Sequence, residues 1–85
     1  MNAVGIDVSK GKSMVAVVRP LGELVIKPYE VRHTASELGQ LANSLKSLDG
    51  ETRVILEHTG RYYEPVARML HDAGIFVSAV NPLLI

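Results

Sequence analysis

The chain contains no cysteine, which excludes a disulfide framework and any thiolate metal site. It has no excess of either charge, because nine basic residues balance nine acidic ones. Its overall field therefore points to neither a nucleic-acid nor a membrane partner, although a local patch of either sign stays open. No apolar run approaches the roughly 20 residues a membrane span requires. The amino terminus has neither a basic leader nor a continuous apolar segment, so a cytoplasmic protein with no membrane partner is expected. Repeats, linkers and low-complexity tracts are also missing. What is present is 85 residues, 47% apolar and 21% charged, within the globular range. That length makes one small domain, 1–85, hiding about 60–65% of its unfolded surface.

Turn signals divide the chain into short elements in close succession. Ala3 to Val8 and Ser13 to Arg19 read as β-rich runs around Ser9-Lys10-Gly11-Lys12. Pro20-Leu21-Gly22-Glu23 makes the next turn before a third run, Leu24 to Val31. This is a three-stranded antiparallel meander. Thr34 with Glu37 forms a capping box ahead of Leu38, Leu41, Ala42, Leu45 and Leu48 on one helical face, with Gly50 as the stop. The strand expected over Thr52 to Glu57 is centred on the unbroken apolar run Val54-Ile55-Leu56, the pattern of a strand covered on both faces. A second helix follows, with Pro65 in its first turn, a stripe of Val66, Met69, Leu70 and Ala73, and Gly74 as its end. Ile75 to Asn81 closes the series as a strand.

The expected unit is thus β-β-β-α-β-α-β, an α/β fold. Helical crossovers place the fourth and fifth strands parallel to the first, giving spatial order 3-2-1-4-5 with the first three strands antiparallel. In that order Asp7 and Glu57 stand side by side near the carboxyl ends of neighbouring strands, where open α/β sheets bind ligands. A charge at Asp7, amid the apolar run VGIDVSKGKSMVAVV, needs a partner or a metal if its strand is buried. Two adjacent carboxylates repel, and a hard divalent cation between them answers both problems. Two-metal phosphodiester chemistry needs more acids than two. The later acids Glu64 and Asp72 fall on the second helix, badly placed to add to the pair.

GIDVSK, VILEHTGRYYEPVARML and GIFVSAVNP together resemble the DEDD transposases of bacterial insertion sequences, relatives of the Piv recombinase and the bridge-RNA-guided recombinases. The resemblance spans essentially the whole chain. It implies a RuvC-like, ribonuclease-H-like amino-terminal domain whose four acids bind Mg²⁺ or Mn²⁺ for DNA strand cleavage and transfer. Asp7 and Glu57 match the first two acids. The second pair belongs to a downstream Asp-x-x-Asp segment, which the sequence does not reach. A fragment truncated before its second carboxylate pair, inactive alone, is the expectation. DNA, a guide RNA and a homo-oligomer of the longer protein are the partners the resemblance implies.

Plainer readings stand beside these. Asp7 also suits a turn-forming side chain bonded to amides near Ser9 or paired with Lys10, and Glu57 a solvated strand end paired with Arg61. Lys10, Lys12 and Arg61 hang from the same predicted sheet edge, as phosphate contacts or as solvated turn residues. Tyr62 suits either base stacking or cover for the core. His58 turns away from Glu57 by strand alternation. Actin-like and sugar-kinase ATP-binding domains open with a similar Gly-Ile-Asp strand. They usually have a Gly-Thr or Gly-Ser pair where Val8 and Ser9 follow Asp7 here, and a valine in the glycine's place counts against that alternative. A non-catalytic interaction module with the same fold is the third reading.

Overall fold

The computed structural model describes residues 1–19, 22–81 and 83. Five strands and two helices follow one another as β1 (Asn2–Ser9), β2 (Lys12–Val18), β3 (Leu24–Arg32), α1 (Ala35–Lys46), β4 (Thr52–Glu57), α2 (Glu64–Asp72) and β5 (Val77–Val80). They form one sheet of order β3-β2-β1-β4-β5. β1, β2 and β3 pair antiparallel, while β4 is parallel to β1 and β5 to β4. Element order, sheet order and strand directions are those expected from the sequence. The expected turn at Pro20-Leu21 and the residue Pro82 lie outside the described residues.

Local chemistry sets the boundaries. Thr34 caps α1 by accepting from the Glu37 amide at 3.2 Å, and Glu37 reaches back to accept from the Arg32 amide at 3.0 Å. Pro65 sits in the first turn of α2, where no backbone donor is needed. Gly74 follows with φ 81°, a left-handed conformation in which a Cβ would be strained. β3 contains Pro28, which the sheet tolerates because β3 is an edge strand. The register there moves from Val15↔Tyr29 to Val17↔Ile26 and then to Val18↔Leu24, so β3 carries two extra residues, one at each shift.

Strand alternation divides the sheet into two unlike faces. Val4, Ile6 and Val8 of β1, Val15 and Val17 of β2, Val31 of β3, and Val54 and Leu56 of β4 form the core with Leu38, Leu41, Leu45, Val66 and Leu70 of the helices. Both crossovers step toward the same edge of the sheet, so their common handedness places both helices on this one face. The expectation that β4 is covered on both faces fails for that reason. Arg53, Ile55 and Glu57 alternate outward as exposed residues, and Ile55 is 53% exposed. The same parity corrects the premise about Asp7. It lies on the open face and is exposed, so its charge requires no burial.

At the opposite end of β1 the buried Asn2 acts as a polar pin. Its Nδ2 donates to the Asp49 carbonyl at 2.7 Å and to Thr52 Oγ1 at 3.3 Å, and its Oδ1 accepts from Arg19 Nε at 3.3 Å. With its polar atoms satisfied, Asn2 ties β1 to the segment entering β4 and to the end of β2.

Candidate metal and nucleic-acid site

Asp7 and Glu57 are direct register partners across the parallel pair β1 and β4. In a parallel pair, register partners share a face and their strands lie about 4.8 Å apart. Both carboxylates are therefore held on the open face, at the carboxyl ends of the two central strands. Among the described residues neither takes part in an ion pair. The bland partners considered above, Lys10 for Asp7 and Arg61 for Glu57, are thus not engaged. Beside the acids lies a shallow apolar floor that includes Gly5, Met14, Ala16 and Ile55.

The row across the sheet at this level is Glu30, Met14, Asp7, Glu57 and Val80. Glu30 was missed in the sequence because its place in the row depends on the two register shifts in β3. It stands two strands from Asp7 and is paired with Lys12 at 3.5 Å. Among the described residues no cluster of three or more histidine, aspartate or glutamate side chains is close enough to hold a metal ion. Glu64 and Asp72 line a groove on the helical side of the sheet, away from the acid pair as expected.

The four residues assigned to nucleic-acid contact separate. Lys12 is committed to Glu30. Arg61 lines the groove that also includes His33, Glu64, Arg68 and Asp72. Lys10 lines a second cleft with Ser9, His58, Thr59 and Gly60. Tyr62 stands between the two and lines both.

The two adjacent tyrosines have different tasks. Tyr62 is 49% exposed, whereas Tyr63 packs against the core and stacks on His58 with ring centroids 3.8 Å apart. His58 is half-buried, and its Nδ1–H donates to the Gly60 carbonyl at 3.0 Å. His33 Nε2 is hydrogen-bonded to the buried Ser13 hydroxyl at 2.7 Å. Partial burial holds the His33 imidazole below the usual histidine pKa, because desolvation disfavours its charged form.

The sheet order and strand directions are those of a ribonuclease-H-like fold, with Asp7 and Glu57 adjacent at the carboxyl ends of β1 and β4. The chain belongs to the IS110-type DEDD transposase family, whose model, described as a transposase, matches residues 4–85. Among solved structures, RuvC of Thermus thermophilus is similar at a TM-score of 0.65 and 18% identity, over 96% of this chain and 64% of RuvC. The same enzyme in complex with a Holliday junction substrate gives a TM-score of 0.67 and 19% identity, over 98% of this chain and 66% of RuvC. Pelota of Archaeoglobus fulgidus matches at a TM-score of 0.55 and 20% identity, over 94% of this chain but 26% of Pelota. At these identities the fold is what is shared. The chain spans just under two thirds of the RuvC length. No curated protein sequence matches it.

Proposed function

We propose that this chain supplies the first two carboxylates of a divalent-metal site for DNA strand cleavage and transfer. The observation that carries the reading is the register pairing of Asp7 with Glu57 on the open face, in a chain of a transposase family. The donor set fits Mg²⁺ or Mn²⁺, since both donors are hard oxygens, adjacent, exposed and free of ion-pair partners among the described residues. When bound, the ion supplies Lewis-acid polarisation of a phosphodiester and a more acidic water.

The chain's own residues position the chemistry. β1 and β4 fix the spacing of Asp7 and Glu57, and the bare face beside them leaves the pair open to a nucleic-acid strand. In this reading the second pair of acids of the DEDD set lies beyond Ile85, residues 1–85 are inactive alone, and the longer protein works as a homo-oligomer in the cytoplasm. DNA is the substrate, with a guide RNA as a further partner. Among the described residues no helix is long and apolar enough to cross a membrane.

Site-resolved NMR tests the proposal. Substoichiometric Mn²⁺ is expected to broaden the amide signals around Asp7 and Glu57 first, and Asp7→Asn to remove that pattern. Broadening centred elsewhere, or unchanged in the variant, would reject it.

A further inference from the structure

Immediately beyond the acid pair, at the carboxyl ends of β1 and β4, a cleft is lined by Val8, Ser9, Lys10, His58, Thr59, Gly60 and Tyr62. Its lining contains no carboxylate, in contrast to the open face with Asp7 and Glu57 and the helical-side groove with Glu64 and Asp72. Lys10 has no ion-pair partner among the described residues. Thr59 adds an exposed hydroxyl. Among the described residues, the Thr59, Gly60 and Tyr62 amides donate to no backbone carbonyl outside the regular elements, and these residues belong to no helix or strand. They are therefore donors with no backbone partner among the described residues, in a loop that lines the same cleft as Lys10.

The loop is held in shape by contacts that leave those donors available. His58 Nδ1–H fastens the Gly60 carbonyl and the His58 ring rests on Tyr63. A Cβ built on Gly60 would lie 3.8 Å from the Tyr62 ring, so Tyr62 covers the loop as one wall of the cleft. On the other side, Ser9 Oγ–H donates to the Lys12 carbonyl at 3.2 Å and braces the turn that presents Lys10. Loop amides converging with a lysine form an anion-binding concavity, and backbone amides, lysine and threonine are ordinary phosphate contacts on nucleic acids.

We propose that this cleft binds a backbone phosphate of the nucleic-acid strand next to the phosphodiester held at Asp7 and Glu57. Lys10, the Thr59 hydroxyl and the Thr59–Gly60 amides are its donors. This rests on the reading of the chain as a DNA-processing domain, but it requires no metal. The adjacent sites have opposite preferences, the acid pair for a cation and the cleft for an anion. A strand crossing both would be held in register by the second while the first engages the reacting bond.

Amide NMR of the chain titrated with a short oligothymidylate in EDTA, and separately with ATP, tests the proposal. Shifts are expected to concentrate at Ser9 to Gly11 and His58 to Tyr62. Lys10→Gln should weaken oligonucleotide binding about tenfold, as loss of one charge-assisted hydrogen bond does. It should also flatten the dependence of log K on log salt by about 0.7. Thr59→Val should weaken binding several-fold with the salt slope unchanged. Oligonucleotide shifts confined to other surfaces, a Lys10→Gln chain that binds like the parent, or ATP binding tighter than the oligonucleotide would overturn the proposal. Because metal is absent, the result is separable from the Mn²⁺ experiment. Cleft shifts without Mn²⁺ broadening at Asp7 would defeat the metal reading alone, and broadening without cleft shifts would defeat the phosphate cleft alone.

Discussion

Asp7→Asn is expected to stabilise the metal-free protein. Asp7 and Glu57 are register partners on strands about 4.8 Å apart, so their side chains start on the order of 5 Å from each other. Two like charges at that distance repel by about 0.8 kcal/mol in bulk water and about 3 kcal/mol at an effective dielectric constant near 20. Both residues are exposed, which selects the lower end, and cross-strand charge pairs fall in the range of about 0.2–1 kcal/mol. Removing one charge should therefore raise stability by roughly 0.5 kcal/mol, which raises the melting temperature of a domain this size by about 2–4 °C. Urea or thermal unfolding in EDTA reads the effect, with Glu57→Gln as the matching variant. Added Mg²⁺ should then reverse the ranking. At ten times its dissociation constant a ligand stabilises the parent by about 1.4 kcal/mol, and the variant should gain little. A less stable Asp7→Asn protein in EDTA would show that the two charges do not repel, and an equal gain from Mg²⁺ in both proteins would show that the ion does not depend on Asp7.

Three further outcomes test the frame that holds the site. Leu56→Ala, at a fully buried position of β4, should lose about 3 kcal/mol in urea unfolding through lost burial and a residual cavity. Thr34→Ala removes the α1 cap and should lose about 1 kcal/mol in the same assay. Burial lowers the folded-state pKa of His33 below its ordinary 6.5, so the unfolded chain binds more protons as pH falls through that value. The stabilising contribution of neutral His33 is complete above pH 6.5 and is lost as pH drops toward the folded pKa. A pH series of unfolding curves should show His33→Gln lessening that decline.

The sheet order was legible because the crossover rules leave few ways to connect a meander, two helices and two parallel strands. The same reasoning placed Asp7 beside Glu57, which the register pairing bears out. Which face the acids occupy was less accessible. The run Val54-Ile55-Leu56 reads as part of a doubly covered strand, yet both helices lie on one side and leave Ile55 outside. Composition records what a strand tolerates, whereas cover depends on how many layers the chain supplies. Glu30 joined the row through two register shifts that composition does not announce. Arg61 and Lys10 seemed equivalent as flanking cations and occupy different concavities. The path of the loop between β4 and α2 separates them, and that path depends on the His58–Gly60 hydrogen bond and the His58–Tyr63 stack. Neither contact has a sequence signature beyond the spacing of its residues.

Whether Asp7 and Glu57 together hold a divalent cation, as proposed, is read from an anomalous-difference map of crystals of the chain grown with Mn²⁺. A peak is expected between the two carboxylates, with oxygen ligands from both at about 2.0–2.2 Å, and no such peak in Asp7→Asn crystals. Mn²⁺ bound to only one of the two acids, or bound elsewhere while this pair remains bare, would contradict it.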